Sequence, residues 1–342
     1  MESEDVIRPL LIKGWVLTID PYSAGMPESP DEFIAKYGGS TDEIAIPAKH
    51  WLGTTLYRSS VAPNDEKFGS FFSDFANIAA EVGIKVYAIF SVFSDRYFAQ
   101  DPRYTIAKSG GGEVKEFVCP SQNAYWKHLV STAREVVRHP IVGIILSKPM
   151  YPRQEFCFCK RCRREFAELA GIEFDFVLES IKREPDLYEK LLAWREEKIT
   201  QVVSEIVSAV KEEKSNVETI ISIDFDSKTD YIDGTRPHFG QNIPKLTDIT
   251  GHLLFHLMPF DPVYPEEGSA TYRKMVNQLA FAKEIKRTGR KLSFYIWGVK
   301  QSTEEEIFSI EQLAREIGTE KIFAQADYPA IYREWREIQS GI

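Results

Sequence analysis

The chain has 342 residues, 43% of them hydrophobic, and its 51 acidic and 42 basic side chains give a formal charge of −9. Such a length buries a large core without a covalent staple, and barrels of this size commonly form one unit. A net negative field without an offsetting basic stripe argues against nucleic acid as a partner.

The first residues, Met1-Glu2-Ser3-Glu4-Asp5, are acidic and show neither the basic start nor the apolar stretch of a secretory signal. Apolar runs such as 141–146 are too short to span a bilayer. The expectation is a cytoplasmic protein with no membrane contact, binding a small molecule or carbohydrate; a homo-oligomer is compatible with the sequence.

Short apolar runs rich in β-branched and aromatic residues recur in chain order at 14–19, 43–47, 85–92, 142–146, 219–225, 252–257, 292–297 and 322–326. Most are continuous rather than alternating, the pattern of strands covered on both faces of a parallel sheet. Helical spacing lies between them. In 65–82, Phe68, Phe71, Phe72, Phe75, Ile78, Ala79 and Val82 share a stripe that ends at Gly83. The stretch 121–138 stops before Pro140, which cannot continue a helix. A long charged helix follows at 188–214, and shorter ones at 272–287, 303–317 and 330–338.

Eight strands with helical patterns between them predict a single (β/α)8 TIM barrel over 1–342. The second connection, 48–64, reads mostly as loop. Two further connections are long: 95–119, with Gly110-Gly111-Gly112, and 148–186, an insertion carrying a cysteine cluster and an extra helix. Both leave the C-terminal ends of strands, where barrel active sites are built.

All four cysteines fall into one constellation, Cys119 followed by Cys157-Phe158-Cys159-Lys160-Arg161-Cys162. Three thiols within one turn, completed by a fourth from the preceding connection, suit a tetrahedral Zn2+. With four sulfurs and no open position for water, that zinc is structural. Lys160, Arg161, Arg163 and Arg164 offset the negative charge of the thiolates. Two disulfides are the competing reading, disfavoured by the short Cys157–Cys159 spacing and a reducing compartment.

With Cys119-Pro120-Ser121, Tyr125-Trp126, His139-Pro140-Ile141-Val142-Gly143 and the Cys157, Cys159, Cys162 run before Phe166, the sequence resembles the family 42 glycoside hydrolases and related glycosidase-like barrels. The resemblance implies a zinc-bound cysteine loop and a sugar-cleaving barrel. It also implies an Asn-Glu acid/base at the end of the fourth strand and a glutamate nucleophile at the end of the seventh. This chain has Leu146-Ser147-Lys148-Pro149 and Tyr295-Ile296-Trp297-Gly298-Val299-Lys300 there, with no acid in either place. Where related barrels carry an aspartate at the fourth strand, Ser147 stands. The family's catalytic pair does not transfer.

Other strand ends do carry acids. Asp224 and Asp226, on one side of the fifth strand, and Asp327 after the eighth are the candidate catalytic residues. Asp20, Trp51, Lys148, His256 and Trp297 are candidate substrate-binding residues, the tryptophans as platforms for apolar sugar faces. Lys148 replaces the family's acid and reads either as a plain surface lysine, the default, or as an ion-pair partner of Asp224 or Asp226 that makes the pocket centre cationic. Three readings result: a glycosidase with non-standard carboxylates, a carbohydrate-binding barrel without catalysis, and an enzyme of another class acting on an anionic small molecule.

Overall fold

The computed structural model describes residues 15–23, 29–37, 41–224, 231–257, 270–296 and 304–325. Eight strands close into a parallel barrel in the order β1-β10-β9-β8-β7-β6-β3-β2. They are β1 (Trp15–Thr18), β2 (Glu43–Lys49), β3 (Lys85–Ser91), β6 (Gly143–Ser147), β7 (Glu218–Ile223), β8 (His252–Leu257), β9 (Lys291–Ile296) and β10 (Ile322–Gln325). Between β3 and β6, β4 (Thr105–Ala107) and β5 (Glu113–Val118) form an antiparallel hairpin outside the barrel. The expected (β/α)8 arrangement is therefore the fold. Among the described residues, no helix is long and apolar enough to cross a membrane.

The helices in chain order are α1 (Pro30–Tyr37), α2 (Phe71–Glu81), α3 (Arg96–Ala99), α4 (Asn123–Val137), α5 (Lys160–Ala170), α6 (Val177–Arg183), α7 (Pro185–Glu213), α8 (Tyr231–Phe239), α9 (Ile243–Thr250), α10 (Ala270–Arg287) and α11 (Glu304–Ile317). The second helix starts later than the apolar stripe predicts. Asp65 spends one carboxylate oxygen on the Lys67 and Phe68 amides, closing a separate turn at the start of that stripe. The helix proper begins after Gly69, where the Phe72 amide donates to the Leu56 carbonyl. In contrast, the long helix starts earlier than expected, because Pro185 occupies its first turn, where no amide is needed.

The Gly110-Gly111-Gly112 stretch is the turn of the β4–β5 hairpin. Gly111 and Gly112 both have positive φ, and the Lys108 amide closes the turn on the Gly112 carbonyl. Earlier in the same connection, Asp95 caps α3 through a bond from the Phe98 amide to Oδ1.

Two apolar layers follow from the two-residue period of the strands. Each barrel strand sends one residue into the lumen: Val16, Ala45, Tyr87, Ile145, Ile220, Leu254, Tyr295 and Phe323. The opposite faces pack against the helices in one larger cluster. Gly143 is required where its backbone passes the Tyr87 ring, since a Cβ there would lie 2.6 Å from a ring carbon.

One buried ion pair anchors the third connection to the barrel. Lys49 Nζ lies 2.7 Å from Asp95 Oδ2, both side chains fully buried, and also donates to the Ser91 carbonyl and to Tyr125 Oη. The Tyr125 hydroxyl, on α4, lies 2.7 Å from the same Asp95 oxygen. Removing one partner strands a buried charge, which costs ~3–5 kcal/mol. Asp95→Ala should lower unfolding free energy by that order in denaturant titration, whereas a surface pair such as Arg287–Glu284 should shift it by less than ~1 kcal/mol when broken.

Candidate functional site

Two residues beyond the luminal layer, the same parity brings polar side chains to the C-terminal mouth. Thr18 and Asp20 follow Val16, Ser91 follows Ile89, Ser147 follows Ile145, Ser222 follows Ile220, His256 follows Leu254 and Gln325 follows Phe323. They line a cavity of about 90 Å³ whose floor includes Ile89, Ile145 and Leu254, with Trp51 at its edge. On β2 the same parity gives Pro47 and Lys49 after Ala45, and past the register shift between Pro47 and Lys49 the next residue, His50, lines the cavity as well.

Asp224 sits 5% exposed beside this cavity. Its Oδ1 accepts from Lys148 Nζ at 2.7 Å and lies 3.9 Å from His256 Nδ1. Its amide donates to Gln241 Oε1, and Gln241 Nε2 donates to the Ser222 carbonyl. Asp224 Oδ2 has no hydrogen-bond partner among the described residues. The strand-four lysine therefore meets the strand-five aspartate and is not the plain surface lysine of the default reading. It gets there because Lys148 adopts φ +53°, in the left-handed region that a residue with a side chain enters at a cost of ~1–3 kcal/mol. The Lys148 amide is fixed by Ser222 Oγ at 3.1 Å.

His256 stacks on Tyr295 with ring centroids 5.0 Å apart and planes 20° from parallel. Burial, with a smaller push from Lys148, lowers its pKa to about 4 against the pull of Asp224, so the ring is neutral at pH 7. Tyr295 donates to Gln325 Oε1 at 2.6 Å, and Gln325 Nε2 donates to Ser23 Oγ. This relay fixes the wall from β8 round to β1.

The opposite wall holds Asp20 and His50. Asp20 Oδ2 lies 3.3 Å from His50 Nε2, and Oδ1 accepts the Tyr22 amide. The Leu52 amide points at His50 Nδ1, so a neutral His50 carries its proton on Nε2, toward Asp20. Trp51 packs 5.2 Å from the His50 ring and has Arg96 6.0 Å from its own.

Of the sequence-predicted residues, Asp20, Trp51, Lys148, Asp224 and His256 are brought together here. Asp226, Asp327 and Trp297 lie outside the described residues. His252, on the same strand as His256, is at the other end of the barrel, bonded to Glu218 and Ser293. Residues not anticipated are Lys49, His50, Ser222, Gln241, Tyr295 and Gln325. Counting by twos from the luminal residues, of which Tyr295 is one, finds Lys49, Ser222 and Gln325; the β-bulge hides His50, and Gln241 arrives from the connection between α8 and α9.

The four cysteines converge away from the cavity. All four sulfurs lie within 4.8 Å of one another, with Cys119 Sγ 3.3 Å from Cys162 Sγ and 3.7 Å from Cys159 Sγ, and no disulfide is formed. A tetrahedral ion with metal–sulfur bonds of ~2.3 Å needs sulfur–sulfur edges of roughly 3.8 Å, so the donor set fits a soft divalent ion. Hydrogen bonds from the other three thiols hold Cys159 far below its ordinary pKa, while the same contacts raise Cys119 and Cys162. Sharing protons in this way is what a crowded thiol set does until a cation lets all four ionise. The ion would join the end of β5, through Cys119, to the start of α5.

No family model matches the chain, and no curated protein matches it in sequence. Solved structures do. The glycoside hydrolase domain of PgaB (BpsB) from Bordetella bronchiseptica superposes with a TM-score of 0.70 at 12% identity, over 95% of this chain and 98% of that one. The catalytic domain of β-amylase from Paenibacillus polymyxa gives 0.60 at 13% identity, over 92% of both chains. A β-galactosidase from the haloarchaeon Halorubrum lacusprofundi gives 0.64 at 10% identity, over 90% of this chain and 52% of the other. These likenesses establish a barrel of the kind that glycoside hydrolases use; membership of family 42 finds no support among family models.

Metal analysis of freshly purified protein should return about one thiophilic ion per chain, and Cys159→Ser should release it and lower Tm by several degrees. Acidity provides a second check. The unfolded chain binds a proton at His256 near pH 6.5 and the folded chain only near 4, so stability should fall as pH drops through that window. His128 is likewise lowered to about 4 by burial and adds to the same slope. His256→Gln with His128→Gln should flatten the loss measured by denaturant titration between pH 6.5 and 4.

Proposed function

We propose that the chain is a carbohydrate-active barrel of the hydrolase type, working at the C-terminal mouth with carboxylates other than those of family 42. The supporting observation is that Asp20 and Asp224 stand on opposite walls, each beside a basic partner. β1 and β7 are four strands apart in either direction round the closed barrel. Strands ~4.8 Å apart and tilted ~36° make a barrel about 15 Å across. Two aspartates reaching inward from opposite walls then leave roughly 9 Å between carboxylates, the spacing of inverting rather than retaining hydrolysis.

In this reading Asp224, ion-paired to Lys148, takes the proton from an attacking water as the oxygen bonds to the anomeric carbon. The bond to the leaving oxygen breaks on the other face, and the Asp20–His50 pair, which must enter the step carrying one proton more than aspartate with neutral imidazole, gives that proton to the oxygen. Neutral His256 and Tyr295 form an apolar wall for the ring, and Trp51 offers a stacking face at the rim. The ion held by the four sulfurs is assigned as zinc, in a structural role that keeps the connection after β6 in place. Asp226 and Asp327 remain candidate carboxylates of the same mouth.

A second reading rests on one observation: the position of the family's acid/base is filled by Ser147-Lys148, whose ammonium engages the nearest acid. A barrel that binds sugar without cleaving it would look the same.

A panel of aryl glycosides, assayed from pH 4 to 8, separates the two. Hydrolysis should fall at least ~100-fold in Asp224→Asn, in line with losing a general base, and NMR of the first-formed sugar should show the inverted anomer. Saturable quenching of Trp fluorescence by an oligosaccharide, with no turnover in the wild type, would leave only the binding reading.

A further inference from the structure

A second concavity, of about 670 Å³, lies between the β4–β5 hairpin and the start of α5. Its size falls within the ~300–1,000 Å³ typical of ligand sites. Its walls carry Arg103, Lys108, Lys160, Arg161 and Arg163 against the acid Glu113. Arg103 is tied to Asp101, but Lys108, Lys160, Arg161 and Arg163 have no acidic side chain within ion-pair distance among the described residues. A divalent ion on four thiolates would add two net negative charges nearby; with Glu113 and Asp101 these make four, and the five cations still outnumber them. In a chain of formal charge −9, this is a local reversal of sign.

The walls are also held rigidly together. The Ser109 amide donates to the Glu155 carbonyl at 3.0 Å and the Phe158 amide to the Ala107 carbonyl at 2.9 Å. Cys119, on one wall, and Cys159, on the other, belong to the sulfur cluster and both border the groove. Half-buried Phe158 adds an aromatic face. Because the hairpin follows β3 and the cysteine loop follows the adjacent β6, the groove opens at the same end of the barrel as the cavity. Ser94, which lines the cavity, bridges to Phe117 at the end of β5, two residues before Cys119 of the groove, so one strand end connects the two sites.

We propose that this groove binds an anionic stretch of glycan, uronate- or sulfate-bearing, belonging to a chain whose next residues reach the cavity. The inference rests on the carbohydrate reading above and names its substrate class. A nucleic acid fits less well: its charge density continues past the groove onto a net negative surface, whereas a short acidic oligosaccharide meets only the groove. The sulfur-bound ion gains a second task here, because it fixes the spacing of the two basic walls.

The test is calorimetric titration of the metal-loaded full chain with a galacturonic acid tetramer, a heparin tetrasaccharide, maltotetraose and a single-stranded oligouridylate, at low and high salt. One of the acidic sugars should bind, weaken with salt, and lose about tenfold in affinity in the Lys108→Gln, Lys160→Gln, Arg161→Gln triple variant. The variant is loaded to full metal occupancy, checked by metal analysis, before titration, and its turnover of neutral aryl glycosides should be unchanged. Chelating the metal should weaken acidic-sugar binding as well. Equal binding of maltotetraose and the acidic sugars, indifferent to salt and to the variant, would overturn the groove while leaving the carbohydrate reading intact. Binding of the oligouridylate alone, or of none of the four, would overturn it too, with the aryl glycoside assay still judging the cavity separately.

Discussion

In a closed eight-stranded sheet every second side chain must enter the lumen, and the lumen holds only a few layers. That constraint organises this molecule. One apolar residue per strand, from Val16 round to Phe323, fills a layer and seals it. Above that layer the residues of the same parity are mostly polar, and with Pro47 and Ile89 they form the floor and wall of the mouth. Asp20, Ser147, Ser222, His256 and Gln325 sit together because of this counting, although they are distributed over some three hundred positions of sequence.

The mouth is stiffened by groups that work in chains. Tyr295 links His256 to Gln325 and then to Ser23, and Gln241 links Asp224 to Ser222 and the loop after β6. Lys148 is the strained member, held in left-handed backbone by a bond to Ser222 and by its ion pair with Asp224. Strain of this sort persists only where the surroundings over-determine it, and here it holds an ammonium against Asp224 at the mouth. Behind the wall, Lys49, Asp95 and Tyr125 join the β2 bulge to α3 and α4, so the third connection cannot move independently of the cavity rim.

The cysteine cluster performs a similar service at longer range. It brings together a hairpin that leaves β3 and a helix that follows β6. Three of its sulfurs are buried and Cys159 is partly exposed. The basic residues around it do more than balance thiolate charge: they form the walls of a groove whose sign opposes that of the chain as a whole.

Much of this was legible in the residues. Continuous β-branched runs separated by helical stripes specify strands buried on both faces, and eight of them specify closure. The cysteine spacing specifies one cluster, since three thiols within a single turn need a fourth to complete a tetrahedron. Asp224 and His256 could be found by parity because β7 and β8 are regular. The tertiary structure alone decided the rest. The bulge between Pro47 and Lys49 turns His50 onto Asp20, and no local signal marks it, because a bulge is set by how β2 must curve against β3. The glycine run reads as a loose loop until its two ends pair as β4 and β5. Whether Lys148 is a surface lysine or a partner of Asp224 depends on a single dihedral and on the distance between two neighbouring strands. Short-range pattern fixes which side of a strand a residue faces; only closure of the barrel fixes what it faces.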